Sequence, residues 1–131
     1  MEDPMTGVVY FIGAGPGDPE LITIKGRDIL ARADVILYAG SLVSHDVLKY
    51  AAESASFYNT AGMVLERQVA VMVEAVRQDK LVARLHTGDP SVFGAIHEQI
   101  ASLEAEGILY RIIPGVSSAF AAAAALGVEY T

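Results

Sequence analysis

The stretch Val8-Val9-Tyr10-Phe11-Ile12 is followed at once by Gly13-Ala14-Gly15-Pro16-Gly17-Asp18, a strand-like apolar run and then a loop marked by glycines. The same succession occurs twice more, with Thr87-Gly88-Asp89-Pro90 shortly after residues 81–85 and Pro114-Gly115-Val116-Ser117-Ser118 after residues 109–113. In a parallel α/β sheet, the loops that leave the carboxyl ends of the strands open on one edge, and ligands bind there near the point where strand order reverses. The sequence therefore predicts one site, built from three distant loops, for a small molecule with a nucleotide-like part.

The composition is that of a single well-buried domain. Of the 131 residues, 53% are hydrophobic and 19% are charged, which suits a sheet covered on both faces and excludes a disordered polar segment. The net charge of −7 argues against nucleic-acid and anionic membrane surfaces as partners. There is no cysteine, and the three histidines lack the i, i+4 spacing of a zinc helix, so we expect no metal. We find no signal-peptide pattern and expect a cytoplasmic protein.

Strand-like and helix-like patterns alternate along the whole chain. This alternation predicts a three-layer α/β fold, in which a mostly parallel sheet of about five strands has helices on both faces. Strands are predicted at residues 8–12, 35–38, 56–58, 81–85 and 109–113, and helices at residues 22–33, 45–52, 65–79, 92–106 and 117–126. In the first helix we expect Ile24, Leu30 and Ala31 to face the core, and Thr23 is its candidate N-cap. Asp89 is the predicted N-cap of the fourth helix, with Pro90 in its first turn.

The first glycine loop matches a dinucleotide-binding fingerprint only in part. That fingerprint has the form G-x-G-x-x-G, leads directly into a helix, and is completed by an acidic residue at the end of the second strand. Here Gly17 follows Gly15 by two residues, and the second strand ends Tyr38-Ala39-Gly40 without an acid. A nucleotide-binding oxidoreductase is therefore disfavoured but stays as an alternative, beside a tight turn that binds nothing.

The other two loops also leave two interpretations open. Asp89, and Ser117 or Ser118, either cap the helices that follow or present amides and hydroxyls to a polar ligand. His86 closes a predicted strand beside the second loop and is a candidate pocket residue. The chain has neither the G-x-S-x-G elbow of hydrolases nor the glycine–lysine–hydroxyl order of a P-loop, which argues against both classes. A non-enzymatic assembly module remains a third alternative.

Residues 11–23, Phe-Ile-Gly-Ala-Gly-Pro-Gly-Asp-Pro-Glu-Leu-Ile-Thr, resemble the opening motif of the tetrapyrrole (precorrin/corrin) methyltransferases. Residues 86–94 and 113–118 resemble the second and third signatures of that family, in the family's order. The resemblance implies the family's α/β N-terminal domain, S-adenosyl-L-methionine as cofactor and a tetrapyrrole as substrate. It further implies a homodimer and a C-terminal domain outside residues 1–131, with the cofactor in the cleft between the two domains.

Within the family, residues 37–44 and 59–63 resemble the enzymes that methylate carbon 11 of precorrin-4. Ala39 stands where sister enzymes acting on uroporphyrinogen carry an aspartate, and the Thr-Gly-Asp-Pro form of the second loop resembles the cobalt-precorrin-4 version. The resemblance thus implies methylation of (cobalt-)precorrin-4 at carbon 11 in cobalamin biosynthesis, with another precorrin as an alternative substrate. Residues 1–131 are expected to be inactive alone, as the N-terminal half of the enzyme.

The resemblance also assigns candidate residues to each ligand. The implied cofactor contacts are Pro16, Thr87, Gly88, Asp89, Val92, Ser117 and Ser118. The candidate substrate contacts are Gly15, Tyr38, Ser41, Met63 and His86. No catalytic residue is assigned, because an activated methyl donor needs alignment and a water-poor cleft more than acid–base groups. Since the net charge of −7 repels a polycarboxylate, local cations must hold the substrate, and the available ones are Lys25, Arg27, Lys49, Arg67 and Arg84.

Overall fold

Five parallel strands form one sheet in the computed structural model, which describes residues 3–131. The strands are β1 (Val8–Gly13), β2 (Val35–Tyr38), β3 (Ser56–Asn59), β4 (Leu81–His86) and β5 (Leu109–Ile113). Their order across the sheet is β3-β2-β4-β1-β5, and every neighbouring pair is parallel. β1 and β4 are central and buried along their whole length, whereas β3 is an exposed edge strand. The predicted fold class is confirmed.

Helices cover both faces of this sheet. They are α1 (Ile24–Arg32), α2 (His45–Leu48), α3 (Leu65–Arg77), α4 (Ile96–Ala105) and α5 (Ser118–Leu126), with a short 3₁₀ turn at Pro19–Leu21. Because successive strand residues point to opposite faces, β1 sends Tyr10 and Ile12 into the layer of α1 and α2. The same strand sends Val9 and Phe11 into the layer of α3 and α4. No helix in the described part of the chain is both long and apolar enough to span a membrane.

The strand order reverses between β1 and β4. From β1, α1 carries the chain across β4 to β2 on one face, while α4 carries it from β4 across β1 to β5 on the other face. The two neighbouring strands are in register to their last residues, where Gly13 pairs with His86. Loops that leave adjacent strands for opposite faces open a crevice at the carboxyl edge of the sheet. The first two glycine loops flank this crevice.

The prediction for the buried face of α1 is wrong for Ile24 and Ala31, which are exposed. The buried side of α1 carries Gly26, Ile29 and Leu30. At about 100° per residue, Ile24 and Ala31 lie on the opposite side of the helix from this stripe. Gly26 is on the inner side because the helix approaches β1 closely, and a Cβ there would lie 3.0 Å from the Cγ2 of Ile12.

The fourth helix also begins later than predicted, at Ile96 rather than at residue 92. Phe93 and Ala95 have φ angles of +58° and +50°, so a right-handed helix cannot run through them. Asp89 is therefore not the N-cap of α4. The second helix is shorter than predicted and ends at Leu48. Thr23 caps α1 as predicted, and of the two candidate caps Ser117 and Ser118 it is Ser117 that caps α5.

Candidate functional site

The first and second glycine loops are joined by backbone hydrogen bonds. The Gly88 N–H donates to the Gly15 carbonyl at 2.8 Å, and the Gly15 N–H donates back to the Gly88 carbonyl at 3.2 Å. One residue earlier, the Ala14 N–H donates to the His86 carbonyl at 2.7 Å. This short antiparallel bridge extends the contact between β1 and β4 beyond the sheet.

Asp89 ties the second loop to the third. One of its carboxylate oxygens accepts a hydrogen bond from the Gly115 N–H at 2.8 Å. The other accepts from the Ser91 N–H at 2.8 Å and from the Ser91 hydroxyl. Burial alone would raise the pKa of Asp89, but these hydrogen bonds lower it below its ordinary value. Asp89 is thus an ionised clamp between residues 26 positions apart in the chain.

Gly13, Gly88 and Gly115 pack backbone against backbone where the three loops meet, and we call these three residues the glycine junction. A Cβ on Gly13 would lie 2.5 Å from the Cα of Gly115, and a Cβ on Gly115 would lie 2.2 Å from the Gly88 carbonyl oxygen. Real Cβ atoms do not approach other atoms this closely, so only glycine at positions 13 and 115 allows the loops to meet. The structure therefore brings the three loops together on one edge.

A pocket of about 90 Å³ opens beside the glycine junction, and we call it the junction pocket. It is lined by Thr87, Gly88, Asp89, Val92, Ser117 and Ser118, together with Phe93. Six of the seven candidate cofactor residues thus share one pocket. The seventh, Pro16, is half-buried next to the bridging Gly15 and is not part of the lining. The Ser117 hydroxyl caps α5 by accepting a hydrogen bond from the Ala119 N–H at 3.2 Å.

A second pocket, of about 110 Å³, lies next to the junction pocket and shares Thr87, Val92 and Phe93 with it. Its charged or titratable lining residues are Arg84 and His86, and we call it the Arg84 pocket. The side chain of Phe93 is fully exposed at the rim of both pockets. Sequence reasoning missed Phe93, although it lies inside the second signature. Sequence reasoning also missed that Arg84 is buried. A single cation within the apolar run 81–85 was the pattern that could have indicated it.

The candidate substrate residues do not all lie together. Gly15 and His86 adjoin the glycine junction, His86 as part of the Arg84 pocket. Tyr38 is half-buried and packs edge-on against Phe57, with 6.3 Å between ring centroids. Ser41 is exposed in the loop after β2, and Met63 packs against the α3 and α4 layer. These last three residues lie at the carboxyl end of β2 or in the loops after β2 and β3, farther along the same edge.

Asn59 holds the loops after β2 and β3 together, which the sequence did not reveal. Its side-chain oxygen accepts hydrogen bonds from the Gly40 N–H and the Ala61 N–H, each at 3.0 Å. A Cβ on Gly40 would lie 2.5 Å from the Asn59 side-chain nitrogen. The β2–β3 part of the edge therefore has its own polar clamp, which positions the candidate residues there.

His86 is neutral at physiological pH. Burial lowers its pKa to about 3, with a further lowering by the charge of Arg84 and an opposing effect of Asp89. Its ring stacks on Phe11, with 5.8 Å between centroids, and its Nε2 is buried without a hydrogen-bond partner among the described residues. Within residues 3–131 there is no cluster of three His, Asp or Glu side chains arranged to hold a metal ion.

Comparison with known proteins gives a consistent result. The family model described as Tetrapyrrole (Corrin/Porphyrin) Methylases matches residues 8–131. The cobalt-precorrin-4 C(11)-methyltransferase of Methanocaldococcus jannaschii is 60% identical over 123 residues, which cover 94% of this chain and 48% of that protein. The chain spans about half the length of the curated relatives it matches.

Two solved structures extend the comparison to the fold. The X-ray structure of a cobalamin biosynthetic enzyme, a cobalt precorrin-4 methyltransferase, matches with a TM-score of 0.93 and 52% identity, over 95% of this chain and 52% of that one. A uroporphyrin-III C-methyltransferase from Thermus thermophilus, solved in complex with S-adenyl homocysteine, matches with a TM-score of 0.74 and 36% identity. That match covers 87% of this chain and 47% of the other.

Proposed function

This chain belongs to the tetrapyrrole (corrin/porphyrin) methylases, and from that premise we propose that it supplies the N-terminal half of a precorrin-4 C(11)-methyltransferase. The complete enzyme transfers a methyl group from S-adenosyl-L-methionine to carbon 11 of precorrin-4, with or without cobalt, in cobalamin biosynthesis. The observation that carries the proposal is the junction pocket, since six residues chosen by family resemblance line one cavity at the strand-order reversal. The identity of 60% to the relative from Methanocaldococcus jannaschii supports the choice of substrate.

The residues of the junction pocket suit an adenosyl group. The hydroxyls of Thr87 and Ser118 can donate and accept hydrogen bonds, and the backbone at Gly88 can approach a ligand without a side chain in between. Val92 and Phe93 supply apolar surface at the rim. We therefore assign cofactor contacts to this pocket and place Pro16 beside it, next to the bridge that joins the first two loops.

The role of this chain is to align the reactants and exclude water. S-adenosyl-L-methionine, when bound, supplies a methyl group already activated by a sulfonium. The glycine junction and the Asp89 clamp fix the second and third loops relative to each other before any ligand arrives, so their polar groups need no reorganisation. Alignment of this kind contributes up to about 7–11 kcal/mol to intramolecular reactions. His86, which is neutral, and Asp89, which is ionised, take no part in proton transfer.

The junction pocket is too small to enclose a whole cofactor. Its volume of about 90 Å³ compares with roughly 300–1,000 Å³ for pockets that bury most of a drug-sized ligand. We infer that a second domain follows these residues and closes the cleft, and that residues 1–131 alone are inactive. α5 carries exposed apolar side chains such as Phe120 and Leu126, which are suited to contact such a domain. By the family resemblance, we also propose a cytoplasmic homodimer.

The choice among precorrins is assigned to the loop after β2. Ala39 and Leu42 from this loop line the Arg84 pocket, and Tyr38 and Ser41 adjoin them in sequence. By the family resemblance, Ala39 stands where the uroporphyrinogen enzymes carry an aspartate, so this wall has no carboxylate at that position. Methylation of another precorrin is the alternative, and it is distinguished by the product formed.

Calorimetry with S-adenosylhomocysteine tests the binding half of the proposal on the two-domain enzyme. We expect one site per protomer, weakened about tenfold in Thr87→Val by loss of a hydroxyl contact worth about 1.4 kcal/mol. Thr6→Val is the matched control, because Thr6 is exposed just before β1, at the opposite edge of the sheet. A two-domain enzyme that ignores S-adenosylhomocysteine contradicts the proposal. Mass spectrometry of incubated precorrin-4 then shows whether one methyl group is gained.

A further inference from the structure

Arg84 is a buried cation in the centre of the sheet. It lies in β4, in register with Phe11 of β1 and Leu37 of β2, and only 7% of its surface is exposed. Its Nε donates to the Gln99 side-chain oxygen at 3.3 Å, its Nη1 to the Leu85 carbonyl at 3.1 Å and its Nη2 to the Gln68 side-chain oxygen at 3.3 Å. All three acceptors are neutral.

The charge of Arg84 is not compensated by a carboxylate. No Asp or Glu side chain in the described part of the chain forms an ion pair with it. Several exposed cations differ in this respect, because Lys25 pairs with Asp3, Arg27 with Asp28 and Lys49 with Asp46. Burial lowers the pKa of Arg84 to about 10, so the guanidinium stays charged at neutral pH. A buried charge without a counter-ion is costly and calls for a partner.

The hydrogen-bond inventory leaves room for such a partner. A guanidinium has five N–H donors, and the three bonds above leave one on each terminal nitrogen. A bidentate contact to a carboxylate uses two N–H donors, so the two that remain on the terminal nitrogens suffice for one. The nearby Nε2 of His86 is also buried without a partner among residues 3–131, and it can donate a further hydrogen bond in the Nε2–H tautomer.

The cavity beside Arg84 has the size and lining of a site for a short acidic arm. Its volume of about 110 Å³ equals that of roughly four liquid water molecules at ~30 Å³ each. This is enough for a carboxylate on one or two methylenes and far too small for a macrocycle. Ala39, Leu42 and Val92 contribute apolar walls, against which methylenes pack favourably.

We propose that the Arg84 pocket binds one carboxylate-bearing side arm of the tetrapyrrole, with Arg84 donating two hydrogen bonds to the carboxylate and His86 one. This inference rests on the proposed function and names the residue that anchors its substrate. It also accounts for how a chain of net charge −7 accepts a polyanion. At physiological salt, charges beyond ~8 Å are largely screened, so a single buried and uncompensated guanidinium decides the interaction at the site.

Fluorescence titration of the two-domain enzyme with uroporphyrin III, a stable tetrapyrrole octacarboxylate, tests this assignment. We expect Arg84→Gln to weaken uroporphyrin binding about tenfold or more, as for loss of a charge-assisted bidentate contact. Arg84→Lys should restore only part of the affinity, since an ammonium cannot form the fork. Arg32→Gln is the matched control, because it removes the same charge from an exposed position on α1 and should leave the affinity unchanged.

The outcomes separate the two claims. If Arg84→Gln keeps both its melting temperature and full uroporphyrin affinity, the carboxylate subsite is wrong while S-adenosylhomocysteine binding still supports the proposed function. A wild-type enzyme that binds neither S-adenosylhomocysteine nor uroporphyrin overturns both. If Arg84→Gln fails to fold, the wild-type enzyme is titrated with the octamethyl ester of uroporphyrin III and with the free acid. Equal affinity for the two overturns the carboxylate subsite, and markedly weaker binding of the ester supports it.

Discussion

The glycine junction and residues 91–95, which we call the Phe93 loop, lie side by side at the same edge of the sheet and are built in opposite ways. At the junction, backbone packs on backbone, and a single added methyl group would lie 2.2 Å from a carbonyl oxygen. In the Phe93 loop, an aromatic side chain is wholly exposed on a residue with φ of +58°. Strained positions with no packing reason are characteristic of functional sites. We therefore expect the glycine junction to fix the geometry of this edge and the Phe93 loop to contact the ligand.

Gly115→Ala should have the largest effect on stability of any change considered for this edge. Its Cβ would force apart the loops after β1, β4 and β5, which we expect to cost about 3 kcal/mol of unfolding free energy, as for an overpacked core. Gly107→Ala is the control, because Gly107 has a φ of +69° but nothing within 4 Å of its Cβ position, so it should lose only about 1 kcal/mol. Urea denaturation measures both, and equal losses would show that crowding at the junction is unimportant.

Asp89→Ala should have the next largest effect and lower the unfolding free energy by about 2 kcal/mol. The substitution removes hydrogen bonds to a charged acceptor and leaves the part-buried Gly115 N–H unpaired. Asp18 offers a matched comparison, since its carboxylate accepts a hydrogen bond from the Glu20 N–H at 2.9 Å but caps only an exposed turn. For Asp18→Ala we expect about 0.5 kcal/mol. Thermal denaturation of the two variants distinguishes an inter-loop clamp from an ordinary cap, and similar losses would make Asp89 an ordinary cap.

His86 should give the protein a pH-dependent stability just below neutrality. Its pKa is lowered from 6.5 when unfolded to about 3 in the fold, so between these values the unfolded chain binds a proton that the folded chain does not. Stability is therefore full above pH 6.5 and falls as the pH drops, by about 1.4 kcal/mol per pH unit. Denaturation at pH 7 and pH 5.5 should show this loss in the wild type and much less in His86→Gln. Parallel losses in both proteins would refute the buried, neutral histidine.

Phe93→Ala should have the smallest effect on stability and a clear effect on binding. Because the side chain is fully exposed, its removal should change the unfolding free energy by less than about 0.5 kcal/mol. We expect the affinity of the two-domain enzyme for S-adenosylhomocysteine to fall about fivefold, as apolar cover is lost from the rim of the junction pocket. Unchanged affinity would mean that the exposed ring contacts something other than this ligand, and the contrast with the junction would lose its functional meaning.

The sequence predicted the strands and their parallel sheet well, because buried parallel strands read as short apolar runs such as residues 8–12 and 81–85. It also predicted local caps such as Thr23 and Ser117, whose partners lie two or three residues away. The inward face of α1 was predicted wrongly because Gly26, the residue nearest β1, carries no hydrophobic signal. The start of α4 was missed because a positive φ at Phe93 and Ala95 is not encoded by residue type.

The contacts that build the site were harder to foresee, because their partners are distant in the chain. For Asp89 the sequence left open a cap of the following helix or a contact to a ligand, whereas in the fold its carboxylate accepts a hydrogen bond from Gly115 in another loop. The close approach of Gly13, Gly88 and Gly115 depends on the order of the strands in the sheet, which hydrophobic periodicity does not predict. The family resemblance assigned Thr87 and Ser117 to the same ligand. In the fold the two residues line the same pocket, because the loops after β4 and β5 meet at the glycine junction.

A crystal structure of the two-domain enzyme with S-adenosylhomocysteine would locate the cofactor site itself. We expect the adenosyl group to lie against residues 87–89 and 117–118, with the Asp89 carboxylate still hydrogen-bonded to the Gly115 N–H. A ligand bound on another face, with the loops after β1, β4 and β5 free of contact, would contradict it.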